Sequence, residues 1–139
     1  MPPFPKPAFS YDYEVDAQIA ALRAHEATAP GRDIPSRSAQ NLLLATWNIA
    51  NLGHPEQQRR DQDHRLIAEM ISWFDLVTVQ EVNDNLGGLR AVHRHLPPSY
   101  NLLVSDRAGN AERLAFVYDT QKVKLLEKRS RSHPPRRET

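Results

Sequence analysis

"FDLVTVQEVND", residues 74–84, ends a segment built for a sheet interior with a carboxylate. Leu76, Val77, Thr78 and Val79 suit a strand, and Glu81 follows two residues later. An ionised side chain at the end of a buried strand costs several kcal/mol unless a partner or a cation neutralises it. Two readings are open. Either Glu81 caps the next helix or accepts from Asn83 and nearby amides, or it faces a bound metal ion.

The segments around this stretch set its context. "NLLLATWNI", residues 41–49, is a continuous apolar run that reads as a strand covered on both faces. From about Gln57 to Trp73, Leu66, Ile67, Met70 and Ile71 fall on one stripe that Phe74 continues, behind a charged beginning, which predicts a helix. Strand, helix and strand at this spacing form a βαβ unit with parallel strands. Residues 84–96 predict a second helix despite Gly87 and Gly88, ended by Pro97 and Pro98. "YNLLVSD" reads as a third strand, and "RLAFVYD" with "KVKLLE" reads as a hairpin about the "DTQK" turn. Upstream, Val15, Ile19 and Leu22 predict an amphipathic helix from Glu14 to Ala27, followed by a linker through "PSRSAQ".

The chain has 139 residues, enough for one domain with a real core, and is 40% hydrophobic and 25% charged. No apolar run spans a bilayer, and the opening "MPPFPKPAFS", with four prolines in its first seven residues, reads as an extended arm rather than a secretory signal. There is no cysteine, hence no disulfide framework and no thiolate metal site, and a cytoplasmic address is the default expectation. The net charge of +1 calls for no nucleic-acid partner. The last twelve residues, "KRSRSHPPRRET", are strongly basic and read as a solvated, disordered end able to bind phosphates nonspecifically.

Ligands of parallel sheets bind outside the carboxyl ends of the strands. Asn48 and Glu81 end the two strands of the βαβ unit, and adjacent strands lie about 4.8 Å apart, so the two side chains would share one rim. An amide beside a carboxylate suits a hard divalent cation such as Mg²⁺. His64, His93 and His95 are better read as solvated helix surface, since positions two apart on a helix diverge. Trp47 and Trp73 read as core filling between helix and sheet.

Taken together, "LLLATWNIANLG", "DLVTVQEVND" and "YNLLVSDRAGNAERLAFVYDTQKV" resemble the first motif regions of the endonuclease/exonuclease/phosphatase superfamily, in its deoxyribonuclease I-like branch. The resemblance covers roughly residues 41–127. It implies an α/β fold, the N-terminal portion of a four-layer α/β/β/α sandwich, and a metal-dependent phosphoesterase, a nuclease acting on nucleic acid or another phosphodiester substrate. It further implies that Glu81 ligates Mg²⁺ or Mn²⁺, that Asn48 helps hold the metal or the scissile phosphate, and that Glu112 orients a catalytic histidine. At position 83 the deoxyribonuclease carries a DNA-contacting arginine where this chain has Asn83, a departure that argues against duplex-DNA specificity. The family's later motifs, a "GDFN"-like stretch and an "SDH" ending, are absent, and composition changes at Lys128.

The expected organisation is therefore an arm and helix over 1–40, a partial domain over 41–127 and a basic tail over 128–139, with the chain truncated or read out of frame after about Glu127. A partial sandwich would leave the inner face of its sheet apolar and open. The competing expectation is a non-catalytic fragment that binds nucleic acid weakly through the basic tail.

Overall fold

The computed structural model describes residues 11–28, 34–107 and 111–126; the proline-rich arm over 1–10 and the basic tail lie outside them. In chain order the elements are α1 (Val15–Thr28), β1 (Leu44–Leu52), a 3-10 turn (Pro55–Gln57), α2 (Asp61–Ile71), β2 (Leu76–Asn83), α3 (Gly87–His93), β3 (Tyr100–Val104) and β4 (Glu112–Asp119). The fold is mixed α/β, with four strands in the order β1-β2-β4-β3. β1 and β2 run parallel, joined through α2 as the βαβ pattern requires, while β4 is antiparallel to both β2 and β3.

Alternation along the strands decides which face holds the core. Val77 and Val79 of β2 and Ala115 and Val117 of β4 are almost fully buried against Ile67 and Ile71 of α2 and Leu89 and Val92 of α3. Trp47, Phe74, Leu102 and Val104 close the margins of that core. α1 packs on α2, burying Ile19, with Arg23–Glu69 and Asp16–Arg65 pairs along the seam.

Among the described residues, nothing covers the opposite face of the sheet. Leu44 is 61% exposed and Leu114 36% exposed, with Thr46 and Asn48 also exposed along β1. The apolar run at 41–49 is thus covered on one face only, because every helix that reaches the sheet lies on the same side. Among the described residues, Val123–Leu126 form no strand, contrary to the hairpin expected there. β4 already has β2 along one edge and β3 along the other, so it has no edge left to pair. The chain instead turns under the sheet, with the Lys122 and Val123 amides donating to the Asp119 carbonyl.

That turn completes a buried ionic cluster. Asp75, wholly buried just ahead of β2, accepts from the Leu43 amide at 2.8 Å and pairs with Arg37 at 2.9 Å and Lys122 at 3.4 Å. Arg37 also pairs with the buried Asp119, and Lys122 Nζ donates to the Asn41 carbonyl at 2.7 Å. Burial alone would push the Asp75 and Asp119 carboxyls up. Hydrogen bonds outweigh it, from the Leu43 amide, Arg37 and Lys122 at Asp75 and from Arg37 and the Gln121 amide at Asp119, holding both below the usual carboxylate range. Tyr100 finishes the cluster under the Arg37 guanidinium, its hydroxyl donating to the Phe74 carbonyl at 2.7 Å. Among the described residues, no helix is long and apolar enough to cross a membrane.

Two outcomes follow from this architecture. The open face makes the chain self-associate and bind an apolar dye, and Leu44→Lys with Leu114→Lys suppresses both; sedimentation of a monomer with a sharp melt and no dye binding in the parent refutes this. Asp75→Ala leaves Lys122 without its acid partner and Arg37 with Asp119 alone, and lowers stability by about 3 kcal/mol in urea unfolding. Since both acids have depressed pKa values, their contribution is full above the unfolded carboxylate value of about 3.9 and is lost as pH falls through the folded values. The parent should therefore lose stability steeply below about pH 4, and Asp75→Ala less steeply.

Candidate functional site

The rim at the carboxyl ends of β1 and β2 is shaped by a break in strand register. Asn48 pairs with Gln80 and Leu52 with Val82, so Ile49, Ala50 and Asn51 all stand opposite Glu81. Towards β4 the surplus lies in β2, where Gln80 and Glu81 together face Leu114. Ala50, Asn51 and Glu81 absorb the mismatch with φ of +33°, +55° and +56°. A left-handed conformation at a residue with a Cβ costs about 1–2 kcal/mol. Bulges of this kind re-aim side chains and gather beside active sites.

Here the bulge aims Glu81. Its Oε1 accepts from Asn48 Nδ2 at 2.8 Å, while Oε2 is shielded from solvent and has no hydrogen-bond partner. Asn48 Oδ1 in turn accepts from the Ala50 amide at 2.9 Å. The reverse amide orientation would set two acceptors against each other, so Asn48 offers Glu81 a donor. As held, it orients the carboxylate and does not present its own oxygen to a cation. The capping role open to Glu81 in sequence is taken elsewhere: Asn83 Oδ1 accepts from the Asn85 amide, and Asn85 Oδ1 from the Gly87 amide.

Glu112 opens β4 directly opposite Asn83, two residues beyond Glu81, whereas Asn48 and Glu81 do not end their strands as expected, since β1 continues to Leu52 and β2 to Asn83. The only histidine later in the chain, His133, lies outside the described residues. Among the described residues, no three or more of His, Cys, Asp and Glu gather in a metal-holding group. A cation at Glu81 would therefore take one protein carboxylate and complete its shell with water and substrate oxygens, which suits Mg²⁺.

Several contributors escaped the sequence reading. Asp84 pairs with Arg113 at 2.6 Å and Arg107 at 3.6 Å, bracing the outer side of the rim. Gln57, buried in the 3-10 turn, donates to the Ala50 carbonyl and props the bulge from the helix side. A glutamine two residues past a proline carries no signal for such a role. The expectation of solvated helix surface fails for the histidines: His93 on α3 has Nε2 2.8 Å from the Tyr100 carbonyl, His95 lies in the turn after α3 with Nε2 2.8 Å from Asp61, and His64 on α2 lines a pocket.

Gly88 fixes the approach of α3 to the rim. A Cβ there would sit 2.6 Å from the Cα of Gly53, which has φ of +92° at the end of β1. Only backbone fits between the two glycines. Comparison with protein-family models, curated proteins and solved structures finds no match to this chain.

A shielded, unpartnered carboxylate oxygen is a stability cost retained at this rim. Glu81→Gln keeps the Asn48 contact and removes the charge, and should raise stability in metal-free chelating buffer by about 1 kcal/mol. Equal or lower stability of that variant in chemical denaturation contradicts the assignment.

Proposed function

We propose that this chain carries the metal-holding part of a divalent-metal-dependent phosphodiester hydrolase of the endonuclease/exonuclease/phosphatase type, with nucleic acid as its substrate class. In this reading it is the N-terminal portion of a four-layer sandwich, its open sheet face receives a second sheet, and its address is cytoplasmic. The observation that carries the proposal is Glu81 Oε2, shielded and unpartnered on a strained bulge.

Glu81 would hold Mg²⁺ or Mn²⁺ through Oε2, with Asn48 Nδ2 fixing the carboxylate through Oε1. The bound cation supplies charge stabilisation for phosphoryl oxygens. Glu112, opposite Asn83 at the same rim, is suited to orienting a histidine brought from outside the described residues. The exposed Asn48 amide lies where it could also donate to a phosphate oxygen.

That Glu81 stands as a single protein ligand, with no group of three His, Cys, Asp or Glu among the described residues, favours a second reading, a non-catalytic chain that binds nucleic acid weakly through residues 128–139. Manganese-dependent hydrolysis of bis(p-nitrophenyl) phosphate separates the two. Under the first, turnover falls at least about 10²-fold in Glu81→Gln, the scale on which loss of a catalytic charged group acts, and magnesium raises the melting temperature of the parent but not of the variant. Salt-sensitive DNA binding without turnover, abolished by deleting residues 128–139, establishes the second.

A further inference from the structure

On the helix side of the same rim, between the end of β1 and the first turns of α2 and α3, lies a pocket of about 380 Å³. His54, Arg59, His64 and Asn85 line it with Gly53 and Gly88, and no acidic residue does. Arg59 is half-buried and forms no ion pair among the described residues. Among the described residues its guanidinium donates to neutral oxygens alone, Gln57 Oε1 and, at 3.4 Å, the Ile49 carbonyl. Five N–H donors are present on a guanidinium, so most remain unclaimed.

The nearby acids are committed elsewhere. Asp63 takes the Tyr13 hydroxyl at 2.5 Å, the Tyr11 hydroxyl at 3.1 Å and the Arg60 amide at 2.7 Å. Asp61 faces His95. A half-buried cation with no direct ion pair is a costly arrangement: burial lowers the Arg59 pKa, and the charge of Asp63 offsets that only in part. Burial, and then the Arg59 charge, likewise lowers that of His64, leaving a neutral imidazole with one N–H to donate. His54 Nδ1 accepts from the Glu56 amide at 3.3 Å, which puts the proton of its neutral ring on Nε2.

We propose that this pocket binds a phosphate-class oxyanion, with the Arg59 guanidinium as its counter-charge and His54 and His64 as flanking donors. The planar fork of arginine suits tetrahedral oxyanions. The inference is independent of Glu81, which does not line the pocket. An anion here would sit beside the Ile49 carbonyl and so against the back of the bulge.

The test is a titration of the full chain with inorganic phosphate at constant pH and ionic strength, with chloride as control, followed by imidazole resonances in heteronuclear NMR. Saturable movement of the His54 and His64 signals, weakened at least tenfold in Arg59→Gln, is expected. No movement, or equal movement with chloride or in the variant, overturns the proposal. Should Arg59→Gln fail to fold, Arg59→Lys, which keeps the charge and loses the fork, takes its place and should weaken binding several-fold. A 5′-phosphorylated dinucleotide that binds more tightly than inorganic phosphate identifies a nucleic-acid end as the source of the anion, and weaker or equal binding identifies the free ion.

Discussion

Parallel pairing between β1 and β2 holds in register from Leu44 to Asn48 and then fails, because three residues of one strand must be matched by one of the other. The backbone resolves the mismatch by turning Ala50, Asn51 and Glu81 into the left-handed region. Everything at the rim depends on that break. It lifts Glu81 out of the alternation that would have sent its side chain along the sheet face, brings Oε1 to Asn48 and strands Oε2. The props are equally local: Gln57 and Arg59 grip the carbonyls of Ala50 and Ile49, and Gly53 against Gly88 lets α3 come close enough to back the turn.

The opposite end of the sheet solves the same electrostatic problem in the other way. Asp75 and Asp119 are also acids at the ends of apolar strands, and both are buried. Each is matched by a cation and by backbone donors, so each reads as architecture. Glu81 receives a single neutral donor. Asp75, just ahead of β2, is fully answered and Glu81, near the far end of the same strand, is half-answered, and the ligand role proposed for Glu81 rests on that contrast.

Much of the fold was legible because its signals are local. The stripe Leu66, Ile67, Met70, Ile71 marks α2, alternation after Asp75 marks β2, and Pro97 with Pro98 closes the second helix region. The hairpin after β4 was not legible, since whether Val123–Leu126 can pair depends on β3 having taken the edge, a fact of topology. At the site, Asn48 and Glu81 were found by asking what a carboxylate does at a strand end. The same question put to Asp75 and Asp119 would have led to Arg37 and Lys122. The bulge itself has no signature, because Ala50, Asn51 and Glu81 are ordinary residues forced into an uncommon conformation by their neighbours.

Arg37 and Asp119 are 82 positions apart, and Lys122 reaches back to the carbonyls that precede β1. During synthesis the βαβ unit emerges with Asp75 already in place and half of its counter-charge still unmade. The linker at residues 34–43 therefore has its full set of contacts only once the segment just past β4 is in place, which ties the N-terminal seam to the last strand.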